Sequence, residues 1–130
     1  MKDYLTRGVS QAGHIQASAC VITELVNEAQ RHHDLWPVAS AALGRTMAAA
    51  VMMADQLKDP RAKLEVTIDG GGELGRITVD ARPDGSTRGY VENPHVNFEL
   101  KENGGLAVGV AVGNQGALRV IKDMGLKDPF

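Results

Sequence analysis

Few side chains in this 130-residue sequence are spaced for chemistry. His32 and His33 are adjacent and followed by Asp34, and Glu28 lies one helical turn before His32. On a helix Glu28 and His32 share a face and supply two ligands of the kinds zinc takes. His32 and His33 themselves point about 100° apart and do not converge on one ion. His14 and His95 are remote in sequence. Two ligands do not make a metal site, and a solvated basic helix end accounts for the group. Gly70-Gly71-Gly72-Glu73-Leu74-Gly75 matches the dinucleotide pattern G-x-G-x-x-G and follows a predicted strand. It leads into another strand, Arg76-Ile77-Thr78-Val79, so no helix N-terminus stands ready for a pyrophosphate. The run reads as a glycine hairpin loop.

Nucleophilic and acid–base chemistry find no local support either. Ser18, Ser40 and Ser86 lie in no nucleophile elbow. Glu65, Asp69, Asp80 and Glu99 alternate with apolar residues, the pattern of a wet sheet face. Cys20 is the one cysteine, placed by alternation among polar neighbours, with no Lys, Arg or His beside it to activate the thiol. Met47, Met52 and Met53 form a cluster that suits either a core or an adaptable binding surface. No catalytic, cofactor-binding or metal-ligating residue is therefore assigned.

Composition narrows the classes further. The length suits one domain with a real core. A net charge of −2 and 4% aromatic residues offer nothing to nucleic acid or anionic lipid. A single cysteine excludes an internal disulfide and points to a reducing, cytoplasmic setting. The first residues lack the apolar core of a signal peptide.

The elements that would position these residues follow from periodicity. Residues 3–9 and 14–22 predict a hairpin turning at Gln11-Ala12-Gly13, with Ile15, Ala17, Ala19 and Val21 on one face and Cys20 on the other. Thr23 is the expected N-cap of a helix that ends near Arg31-His32-His33-Asp34. Residues 37–57 predict a long helix, opened by Pro37 and apolar on every side from Met47 to Ala54. Arg45 near its middle argues against a membrane span, and Gly44 marks close packing. Leu64, Val66 and Ile68, then Ile77, Val79 and Ala81, predict strands. Pro83-Asp84-Gly85-Ser86 predicts a turn, and residues 87–92 a short strand. Val96, Phe98 and Leu100 predict another strand, joined through Asn103-Gly104 to an apolar strand over Leu106–Val112. Ala117–Lys122 fits a strand or a helix start. Gly125 to Phe130 stop without a closing element. The fold expected is α+β, antiparallel sheets layered with a long buried helix.

Several stretches together resemble one family. They are Met1-Lys2-Asp3-Tyr4-Leu5, Val26 to Asp34, Ala39 to Met47, Gly70 to Gly75, Arg88 to Val96 and Val120 to Phe130. Their order and spacing resemble the N-terminal part of the bacterial thirty-three-kilodalton heat-shock protein, a redox-regulated holdase chaperone. The resemblance implies ATP-independent binding of unfolding client proteins, a homodimer, and a C-terminal domain holding zinc through four cysteines that oxidation releases. None of those cysteines falls within 1–130, so the sequence is expected to be a truncated N-terminal core domain without cofactor. Client-binding surfaces are diffuse, and no residue is assigned to one. Two rival readings stand beside it: a small metal- or nucleotide-dependent enzyme, and a structural dimerisation module that binds no client.

Overall fold

The computed structural model describes residues 2–124; the expectation for Gly125 to Phe130 lies outside them. The chain begins with a hairpin of β1 (Tyr4–Val9) and β2 (Gln16–Val21), continues through α1 (Thr23–His33) and α2 (Pro37–Ala54), and then forms β3 (Lys63–Asp69), β4 (Ile77–Ala81), β5 (Thr87–Val91), α3 (Val108–Val112) and β6 (Ala117–Asp123). The hairpin is a sheet by itself. The other four strands form an antiparallel sheet in the order β5-β4-β3-β6.

Helix α2 lies on that sheet, against β3, β4 and β5, and is flanked by α1, α3 and β2. Pro37 opens it after an extended Trp36, where the missing N–H leaves no bond unmade. Leu43 and Met47 from the helix and Leu64, Ile77 and Val79 from the sheet are almost wholly buried. Gly89 lets β5 approach closely, since a Cβ there would meet Leu43 and Val79 at 3.1 and 2.9 Å. Gly44 does the same for α1, as a glycine inside a helix leads one to expect; a Cβ would lie 3.2 Å from Val26. By length and composition α2 is apolar enough to cross a membrane, but here that apolarity faces the sheet and its neighbours.

The α+β architecture and the long helix agree with the sequence reading, and several details differ. The helix ends at Ala54 rather than Leu57, because Leu57 turns inward through a tighter bond to Ala54 O (3.0 Å) and is buried. The helix is not covered all round. Arg45 and Ala49 are exposed and Met52 and Met53 half-buried, one stripe at helical spacing left open, while Met47 is 1% exposed. Thr23 does not cap α1. Ile22 occupies that position without a side-chain bond, and Asp3 supplies the cap from outside: Oδ1 accepts from Glu24 N–H (3.0 Å) and Oδ2 from Leu25 N–H (2.9 Å). A carboxylate at a helix N-terminus satisfies orphan donors whichever part of the chain brings it.

The hairpin forms in the expected place, but Ser18 and Cys20 turn inward while the alanines of the apolar face stay outside, with Val21 alone of that face half-buried in β2. Ala17 and Ala19 are exposed, whereas Ser18 and Cys20 are half-buried, and β2 packs on α2. Small apolar side chains gain little from burial, so alternation of alanine with serine and cysteine fixes the face weakly.

The largest difference lies after β5. Residues 92–106 form no strand, although Val96 and Phe98 pack against the core. The predicted strand 106–112 is instead the short helix α3, burying Val108 and Ala111. A brief apolar run does not distinguish a buried strand from a buried helical turn. Asn103-Gly104 still turns the chain, with Gly104 N–H bonded to Lys101 O (2.8 Å). β6 resolves the open choice at 117–122 by pairing along all of β3.

Candidate functional surfaces

The glycine loop is filled by the protein itself. Gly72 N–H donates to Val112 O (3.0 Å), Leu74 N–H to Ala111 O (3.1 Å), and Gln115 N–H to Gly70 O (2.9 Å). A Cβ on Gly72 would collide with Ala111 O, and one on Gly70 would meet Val112 O at 2.5 Å. The glycines thus seat the end of α3 against the loop that joins β3 to β4. The N–H groups that a phosphate would need from Gly72 and Leu74 are already donated.

The histidines separate. His32 Nε2 lies 3.6 Å from Glu28 Oε1 on the exposed side of α1, the predicted pair. His95 stacks on Trp36 (5.2 Å between centroids) with its Nε2 3.1 Å from Asp34 Oδ2. Trp36 N–H also donates to Pro94 O (3.1 Å), so this cluster ties the α1–α2 corner to the loop after β5. Asp34 adopts the left-handed conformation (φ 50°) that ends α1. His14 lies on the exposed hairpin turn. Among the described residues no three His, Cys, Asp or Glu side chains are gathered to hold a metal.

Cys20 is half-buried with Sγ 3.8 Å from Ala48 O. Burial first, and the Asp3 carboxylate second, push its pKa above the ordinary value, which disfavours the thiolate that nucleophilic or redox chemistry requires. Ser40 Oγ lies 3.4 Å from Leu35 O, and the Ser86 hydroxyl lies 2.6 Å from Asp84 Oδ1. Each thus has a local structural partner. Glu65 and Asp80 are direct cross-strand neighbours on the outer sheet face; Asp80 Oδ2 has Arg88 Nε at 3.7 Å. Asp69 ends β3, and Glu99 falls in the irregular segment rather than on a strand.

What the surface does offer is apolar. Tyr4, Val9 and Ile15 on the hairpin, Trp36 and Tyr90, Leu100 in the irregular segment after β5, Val110 on α3 and Leu118 on β6 are all exposed. The hairpin edges and the outer edge of β6 pair with no further strand among the described residues. A groove also opens between the hairpin, the start of α1, the end of α2 and the β4–β5 turn. Four separate stretches build it, which is why no local pattern in the sequence signals it.

The described residues thus form a layered α+β domain with exposed apolar side chains. Comparison with known proteins gives the family. The model of the Hsp33 protein family matches residues 3–130, and the chain belongs to that family. It is 55% identical over 130 residues to the 33 kDa chaperonin of Halalkalibacterium halodurans, covering all of this chain and 44% of that protein. It is 52% identical to the 33 kDa chaperonin of Bacillus licheniformis over 128 residues, 98% of this chain and 44% of that one. The crystal structure of the 33 kDa chaperonin (heat shock protein 33 homolog) of Thermotoga maritima superposes with a TM-score of 0.90 at 33% identity, covering 97% of this chain and 43% of that one. The chain therefore spans less than half the length of these relatives.

Proposed function

We propose that this chain is the N-terminal core domain of an ATP-independent holdase, which binds unfolding proteins and keeps them from aggregating. The observation that carries the reading is the end-to-end match, in sequence and fold, to proteins named 33 kDa chaperonins. The exposed apolar side chains support it, because capture of unfolded chains needs apolar surface. The spent glycine-loop donors and the elevated Cys20 pKa favour binding over catalysis. A cytoplasmic setting accords with the single cysteine.

Redox control, in this reading, belongs to the zinc-binding cysteines that the family resemblance implies. One cysteine cannot form such a site, and Cys20 has no gathered partners among the described residues. Light scattering of a thermally aggregating client tests the proposal. The full-length protein is expected to suppress aggregation more strongly after oxidation, whereas residues 1–130 alone show no difference with or without reductant. Redox-dependent suppression by residues 1–130 would contradict this division of labour.

A homodimer is the second part of the reading. It is favoured by the separate hairpin, since a two-stranded sheet is marginal alone, and by the outer edge of β6, which pairs with no further strand among the described residues.

A further inference from the structure

The groove beside the hairpin encloses about 400 Å³. Its floor is apolar: Leu5, Val21, Ile22, Leu25 and Val51. Ile22 and Leu25 also pack against the main core, whereas Leu5 and Val21 are half-buried outside it and Val51 is buried beneath them. The rim carries Asp3, Asp55 and Asp84, and no Lys, Arg or His among the described residues lines the cavity.

Each rim carboxylate also has a local partner. Asp3 accepts from the first turn of α1. Asp55 Oδ2 lies 3.0 Å from Arg7 Nε, an ion pair without hydrogen-bond geometry. Asp84 accepts from Ser86 N–H (2.9 Å), and that turn holds its carboxyl below the usual range. Asp55 has a cation opposite it in Arg7, and Asp84 feels the charge of Arg82 beside the turn, so of the three only Asp3 is held by backbone donors alone. Three carboxylates around an apolar floor concentrate negative potential where an apolar side chain would enter.

We propose that this groove docks an extended segment of unfolded polypeptide in which apolar residues alternate with lysine or arginine. The inference rests on the chaperone reading and names the kind of client segment taken. An extended chain presents alternate side chains to opposite sides, so apolar ones reach the floor while cations reach the rim. Tyr4 and Leu5 of β1 line the groove on a hairpin whose outer edges pair with no strand among the described residues, which leaves backbone groups for the incoming chain. Acidic segments are repelled.

The test uses the full-length protein and three short labelled peptides, alternating Leu/Lys, Leu/Glu and Ser/Lys, followed by fluorescence anisotropy. The Leu/Lys peptide is expected to bind about tenfold more tightly than Leu/Glu at low salt, the effect of a few exposed ion pairs. Ser/Lys should bind more weakly than Leu/Lys, for want of apolar burial. The preference should shrink as salt brings the Debye length below about 10 Å. The double variant Asp55→Asn with Asp84→Asn, checked for folding by circular dichroism, should lose most of it. Because Asp55 also pairs with Arg7, a photo-crosslinker on the Leu/Lys peptide gives a readout free of mutation, and labelling is expected at Tyr4, Leu5, Leu25 and Gly85. Equal affinity for Leu/Lys and Leu/Glu, or crosslinks elsewhere, overturns the proposal. So does a groove crosslinked to a second copy or to another part of the same chain. Client protection without either apolar peptide binding removes the groove and leaves the chaperone reading standing. The predicted peptide preference without client protection does the reverse.

Discussion

At the scale of single residues, Asp3 links more of the structure than its position near the N-terminus suggests. Its two oxygens cap α1, and its charge also raises the pKa of Cys20. Replacing it with alanine leaves two helix donors without their acceptor and is expected to cost about 1 kcal/mol, read as a lower midpoint of urea unfolding. The same variant should make Cys20 more acidic, so a thiol reagent labels it faster at neutral pH than in the wild type. An unchanged midpoint with unchanged labelling would show that Asp3 caps nothing in solution. Cys20 carries its own pH dependence. Because its folded pKa is raised, the folded state holds the thiol proton more tightly than the unfolded chain does. That contribution is fully present below the ordinary value near 9.0 and is lost as pH rises through the folded value. The melting temperature should therefore fall more steeply above pH 9 in the wild type than in Cys20→Ala, and parallel curves would remove the effect.

Among the elements, α3 and the glycine loop form one unit. α3 has only five residues and no side-chain cap, too short to persist alone. It is held by backbone bonds to Gly72 and Leu74 and by burial of Val108 and Ala111. Adding one methyl group at Gly72 meets rigid backbone, so Gly72→Ala is expected to destabilise by about 1–3 kcal/mol. Gly109 provides the control, since a Cβ there meets nothing within 4 Å. Gly109→Ala should be neutral or stabilise by up to about 1 kcal/mol through helix propensity. Denaturant titrations of the two variants decide the matter, and equal effects would refute the packing account. This unit also explains the misread strand. Leu106–Val112 has the composition of a covered strand, and only its seat against the glycine loop makes it helical.

For the whole molecule, the question is which apolar surface stays open. The four-stranded sheet and α2 bury one another's larger side chains, while the hairpin face, the stripe through Ala49 and Met52, and Leu118 on β6 remain exposed or half-exposed. Open strand edges and apolar patches favour association. Residues 1–130 alone are therefore expected to sediment as a concentration-dependent mixture containing dimer in analytical ultracentrifugation. A single monomeric species at high concentration would contradict this.

The sequence by itself determined the elements with strong patterns. Pro37 followed by an alanine-, leucine- and methionine-rich run made α2 helical, and strict alternation of large apolar residues made β3 and β4 strands. Each of these signals lies within one turn or one strand and recurs over many residues, so local physics suffices. The glycine loop was legible for the same reason, from the strand on either side of it. Tertiary structure decided what local energy leaves nearly balanced. Cys20 turned inward because alanine, serine and cysteine differ little in their gain from burial. The cap of α1 came from Asp3, 21 and 22 residues from the donors it satisfies, because a backbone donor is satisfied by any acceptor the fold brings near. The apolar groove with its acidic rim exists only where four distant stretches meet, and neither spacing nor composition encodes such a meeting.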